Sequence, residues 1–150
     1  MDADYFNYGF SGSAKGESVF AEFIASHPAI SAFVYDYDHN APNPEYLEAT
    51  HEKMFLKVRK KHPDKPIILM SRPDFDSNVG QSFLRRDIIR KTYLNAKDRG
   101  DENVFFIDGE KLFMDKYRDA CTVDGCHPND LGFMRMAEHI YPTIEKALNK

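Results

Sequence analysis

Hydrophobic positions along this chain follow two rhythms. Near-continuous apolar runs occupy residues 29–35, 66–71 and 103–108, and between them apolar residues recur every three or four positions. The runs, rich in β-branched and aromatic residues, fit strands buried on both faces, and the spaced stretches fit one-sided helices. A further short strand is expected over residues 3–8, leading into a glycine-rich turn, Gly9-Phe10-Ser11-Gly12. The first helix is predicted over 15–25 with Val19, Phe20, Phe23 and Ile24 inward, ended by His27-Pro28 because the residue before proline avoids the helical region. The second starts at Asn43-Pro44 as cap and first helical residue, turns Leu47, Thr50, Met54 and Val58 inward, and finishes on Arg59, Lys60 and Lys61, which suit the helix dipole. The third covers about 82–97, with Leu84, Ile88 and Tyr93 inward and Gly100 as its stop. A helical turn near 110–114 follows the last strand. The final helix is expected to bury Met134, Ala137, Tyr141, Ile144 and Leu148, and Pro142 should kink or split it.

Strands alternating with helices predict one α/β domain, a three-layer, flavodoxin-like parallel sheet covered on both faces. The length of 150 residues fits a single domain, and 42% hydrophobic with 29% charged residues fits a globular chain. The net charge of −4, with both signs interspersed, argues against a nucleic-acid partner or a membrane surface. No apolar run approaches the ~18 residues of a membrane span. Met1-Asp2-Ala3-Asp4 has neither the basic nor the apolar segment of a leader, and the compartment stays open. Cys121 and Cys126 are near enough for a small-loop disulfide, and equally fit two reduced thiols.

In open α/β sheets ligands bind beyond the carboxyl ends of the strands. The turn after the first expected strand holds Gly12, the loop after the second Asn40, and the loop after the fourth Asp124 and His127. Asp124 precedes His127 by three residues in a turn shaped by Gly125 and Pro128, a spacing that lets a carboxylate fix an imidazole's tautomer. Plainer roles exist for each: Asp124 and His127 as turn and capping residues, Asn40 in an Asx-turn before Pro42, Gly12 for its backbone angles alone. Asp36, Asp38 and Asn40 imitate the start of a calcium loop, but Ala41 stands at the sixth position and Leu47 at the twelfth, so calcium is rejected. Cys121, Cys126 and His127 lack a fourth ligand for zinc. No metal or cofactor is expected. Arg72 reads as a solvated loop charge rather than a grip on substrate.

Asn7-Tyr8-Gly9-Phe10-Ser11-Gly12, Asp36-Tyr37-Asp38-His39-Asn40 and Asp124-Gly125-Cys126-His127-Pro128 resemble, in order and spacing, the second, third and fifth sequence blocks of the SGNH hydrolases, the GDSL-like esterases and acylhydrolases. The resemblance runs over essentially the whole chain. It implies a serine ester hydrolase with His127 as general base, Asp124 as its orienter, and an oxyanion hole from the Gly12 N–H and the Asn40 amide. The implied substrate is a small ester, acylated carbohydrate foremost, with lipid and thioester substrates behind. The family's first block, a strand ending in the nucleophilic serine, has no counterpart here. The expectation is therefore an N-terminally incomplete domain, inactive by itself. Ser11, Ser13 and Ser71 are poor substitutes: Gly9-Phe10-Ser11-Gly12-Ser13 lacks the closing glycine of a nucleophile elbow. The alternative is a non-catalytic α/β module that binds a ligand or partner, forming a homodimer through its open strand edges. A flavodoxin-type ligand binder has no glycine-rich phosphate fingerprint to support it.

Overall fold

The computed structural model describes residues 3–9, 11–114 and 116–149; Met1, Asp2 and Phe10 of the segments discussed above lie outside them. Three parallel strands, β1 (Phe33–Tyr35), β2 (Ile67–Met70) and β3 (Val104–Ile107), form one sheet in the order β1-β2-β3. Phe33 pairs with Ile67, and Ile67 with Val104. Helices α1 (Ser18–Ala25), α2 (Pro44–Lys61), α3 (Val79–Asp98) and α4 (Asp130–Leu148) supply the cover.

The strand alternation sorts side chains into two cores. Tyr35, Ile67, Leu69 and Val104 face α1, α2 and α3, packing on Ile24, Leu47, Phe55 and Ile89. Ile68, Met70 and Ile107 face α4, where Ala147 is buried and Met136, Ile140 and Ile144 are partly so. The outcome is a helix–sheet–helix sandwich, as the alternating pattern requires.

Several local signals act as read. Asn43 caps α2 through Tyr46 N–H at 2.8 Å, with Pro44 first in the helix. Gly100 adopts φ +82° just past α3, where its N–H reaches Lys97 O. The structure corrects others. Residues 3–8 are no strand: they carry no regular secondary structure and rest by aromatic contacts on α1 and its end, Tyr8 on Phe23 at 5.3 Å and Phe6 on His27 at 5.0 Å. Strand geometry persists only where a neighbour takes up the backbone groups, and no strand lies alongside this segment among the described residues. α1 buries Ala21, Ile24 and Ala25 and leaves Val19 and Phe23 exposed. α3 begins at Val79 because Asn78 accepts Gln81 N–H, and its Leu84 is exposed. α4 runs unsplit through Pro142, and the stripe it buries is offset from the expected one, so Met134 and Tyr141 face solvent.

Candidate functional site

Three loops leave the carboxyl ends of the strands on one edge of the sheet. After β1 the chain makes a 3-10 turn, Asp38–Asn40, closed by Asn40 N–H to Tyr37 O at 2.9 Å. Asp38 anchors this turn: wholly buried, it accepts Arg72 N–H at 2.9 Å and an Arg85 N–H at 3.2 Å. A carboxylate spent on two cationic residues' donors is no calcium ligand. The Asn40 amide donates to Ser13 O, which ties the turn to the segment carrying Gly12. Gly12 itself has φ +62°, a conformation that suits glycine.

After β3, the loop folds back on itself before α4. Thr122 and Pro128 form an isolated antiparallel bridge, and Gly125 takes φ +84° at the tip. Asp124 Oδ1 accepts N–H from His127 (2.7 Å) and Cys126 (3.0 Å), while its Oδ2 lies 2.7 Å from His127 Nδ1. These bonds, the His127 N–H foremost, then its imidazole and the Cys126 N–H, hold the Asp124 carboxyl at about 2. Asp124 is thus a carboxylate at any ordinary pH. With Nδ1–H donating to it, His127 presents the lone pair of Nε2 outward, on a side chain 75% exposed. Asn129 fixes the join to α4 by capping Gly132 N–H at 3.1 Å.

The Asn40 and His127 segments meet through their sequence neighbours. His39 Nδ1 is 3.9 Å from Cys126 Sγ, and His39 Nε2 lies 2.7 Å from Asp74 Oδ1 in the loop after β2. That last contact is an ion-pair approach rather than an in-line hydrogen bond, since Asp74 Oδ1 has no well-aligned donor. Burial pushes the Asp74 carboxyl up, but the His39 ring, Arg72 and Ser77 outweigh it and hold it below its usual value. The three donor atoms fit within 4.8 Å of one another, yet the Arg72 guanidinium, 3.7 Å from Asp74 Oδ1, opposes a cation there. From the sequence, Cys126 is weighed only for a disulfide or a zinc site, and His39 and Asp74 are not singled out at all, although His39 adjoins Asn40.

The other candidates resolve differently. Ser71 is wholly buried, its Oγ accepting Gly109 N–H at 2.8 Å. Among the described residues, the hydrogen-bond partner of the His127 ring is Asp124 and no serine hydroxyl. Arg72 is buried rather than solvated, donating to Ser82 Oγ at 2.8 Å. Cys121 and Cys126 are free thiols; Cys121 is buried, held by Tyr117 O and Arg135. An open groove of about 450 Å³ runs beside Asp124, lined by Asp74, Asp76, Ser77, Phe113, Arg118 and Asp119 among others. A larger one, about 590 Å³, lies around Arg59 and Asn103 at the opposite ends of the strands, away from these groups.

The structure is thus a parallel α/β sheet with an Asp–His pair and an amide-bearing turn on its carboxyl edge. The model of the GDSL-like lipase/acylhydrolase family matches residues 1–145, and the chain belongs to that family. Among solved structures, a Bacteroides ovatus protein described as a GDSL-like lipase is 30% identical with a TM-score of 0.77, over 92% of this chain and 42% of its own. SsfX3, a salicylyl-acyltransferase from a tetracycline biosynthetic pathway, gives 20% and 0.70 over 88% and 42%. A family two carbohydrate esterase of Clostridium thermocellum gives 18% and 0.66 over 83% and 38%. The last two likenesses speak to fold alone. The chain spans less than half the length of each of these structures. No curated protein sequence matches it.

Proposed function

We propose that these residues form the base and oxyanion-hole part of a serine ester hydrolase whose nucleophile is borne on a segment outside this sequence. The observation that carries the reading is the exposed Asp124–His127 pair, its Nε2 free to take a proton, on the same sheet edge as the Asn40 turn. In the reaction, His127 Nε2 accepts the serine proton as the hydroxyl attacks the ester carbonyl, and then returns it to the leaving alcohol. Asp124 keeps the ring oriented and offsets the imidazolium charge. The Asn40 amide and Gly12 N–H donate to the developing oxyanion, a neutral amide serving there without a counter-charge. The carboxylates and Ser77 beside Asp124 suit the hydroxyls of a carbohydrate leaving group, and this supports small acyl groups on carbohydrate as substrates. In a protein extended by the serine-bearing strand, His127→Gln lowers kcat by about 10²–10⁴-fold with little change in KM. The 150-residue chain alone takes up no fluorophosphonate; stoichiometric labelling of a serine in it refutes the missing nucleophile.

A second reading rests on a different observation. Among the described residues β1 bonds to β2 on one side only, and its Val34 is 39% exposed in the middle of a three-residue strand. Such an edge supports pairing between two copies of the chain as a non-catalytic module.

A further inference from the structure

Cys126, His39 and Asp74 come from three different loops and meet in an order that the Asp124–His127 site does not use. Cys126 Sγ is 3.9 Å from His39 Nδ1, and His39 Nε2 is 2.7 Å from Asp74 Oδ1. A thiol, an imidazole and a carboxylate in that sequence are the parts of a base-assisted nucleophile, and such sets are recognised by geometry rather than by chain position. The proposal uses the tautomer with its ring proton on Nε2, which leaves a lone pair on Nδ1 for the thiol. Accessibility agrees as well, because Cys126 is half-buried and the His39 side chain is 35% exposed, whereas Asp74 is enclosed at 4%.

We infer that Cys126 is a nucleophile in its own right, activated by His39 and Asp74, which takes an acyl group from a small activated ester. In the step, the thiol proton passes to His39 Nδ1 as sulfur bonds to the carbonyl carbon. The Asp74 carboxylate, 2.7 Å away, stabilises the imidazolium against the more distant Arg72 guanidinium, 3.7 Å from the same oxygen. Collapse of the tetrahedral intermediate breaks the ester C–O bond, the leaving oxygen takes the proton from His39, and the acyl group stays on sulfur as a thioester. Water attacking the thioester releases the carboxylic acid and restores the thiol. Burial, followed by the Asp74 and Asp124 charges, pushes the Cys126 thiol up, with Arg72 opposing. A free thiolate is therefore scarce at neutral pH, and reactivity depends on His39 removing the proton during attack. The charge of Asp36, two residues before Asp38 in the same loop, also interacts with His39. The inference stands apart from the serine-hydrolase reading, since it needs no residue outside the 150.

The test uses the 150-residue chain, p-nitrophenyl acetate and a chelator in every arm. The expected result is a burst of one equivalent of nitrophenolate followed by slower release, with the acetyl group trapped during the burst on Cys126, located by peptide mass mapping and cleaved by hydroxylamine. Cys126→Ser abolishes the adduct, and His39→Gln slows its formation by about 10²-fold while the thermal melt stays cooperative. A comparison that needs no variant guards against misfolding: acetylation of Cys126 in the native chain outpaces that of the same thiol in urea, despite its raised pKa. Acetylation on Cys121 or a lysine instead, or a native rate no faster than the denatured one, overturns the inference. So does a folded His39→Gln chain that acetylates at the original rate.

Discussion

Asp38 shows how much of the site rests on one buried carboxylate. Its side chain is wholly inaccessible and holds the Arg72 backbone and the Arg85 guanidinium, while Arg85 also reaches Asp38 O and Ala41 O. Arg85 Nε already lacks a partner. Removing one member of such a pair strands the other charge, which costs about 3–5 kcal/mol. Asp38→Ala is therefore expected to lower stability by that amount, read as a fall in the urea midpoint at unchanged slope. Because the Asp38 turn also carries His39 and Asn40, both sites should loosen with it. At this scale the sequence was legible where chemistry and spacing coincide, as in Asp124 and His127. It was illegible for Arg72 and Asp74, whose polar loop looks solvated until tertiary packing encloses it. Burial of a charge depends on partners distant in sequence, and no local pattern records them.

The elements were legible where a punctuating residue marks them. Asn43-Pro44 and Gly100 set helix ends, and the continuous apolar runs at β2 and β3 announced strands buried on both faces. Inner faces were less legible, because α1 and α4 carry more apolar residues than their neighbours cover, and periodicity cannot say which stripe packs. α2 adds a buried histidine that the spacing did not single out. His51 packs flat on Tyr35, ring centroids 4.5 Å apart, with Nδ1 2.9 Å from Thr92 Oγ1. Burial pushes its pKa down from 6.5 to about 3. A histidine neutral in the fold and free to protonate when unfolded stabilises fully above about pH 6.5. That contribution drains away as the pH falls toward 3, because the unfolded chain then binds the extra proton. Three and a half units correspond to a loss on the order of 5 kcal/mol. Denaturation midpoints should drop steeply between about pH 6.5 and about pH 4, and His51→Gln should flatten that slope. An equally steep slope in the variant assigns the acid sensitivity elsewhere.

Across the whole molecule, several elements leave large apolar side chains exposed. Val34 lies on the face that α4 covers, and α4 itself exposes Phe133, Met134 and Tyr141. α1 exposes Val19 and Phe23, and Tyr5 and Phe6 in the unpaired segment are 87% and 68% exposed. Exposed hydrophobes scattered singly are ordinary, but Val34 sits on a strand with an unpaired edge, which invites another strand to pair there. In a protein with the serine-bearing strand, that strand can take β1's free backbone groups and cover Val34. In the isolated chain the same groups remain available to a second copy. The two readings of the chain thus share one physical cause and separate by experiment. The 150-residue chain should self-associate with rising concentration in sedimentation velocity. Val34→Lys, which puts a charge on the edge strand, should return it toward monomer. If the unsubstituted chain stays monomeric throughout, pairing at β1 is wrong.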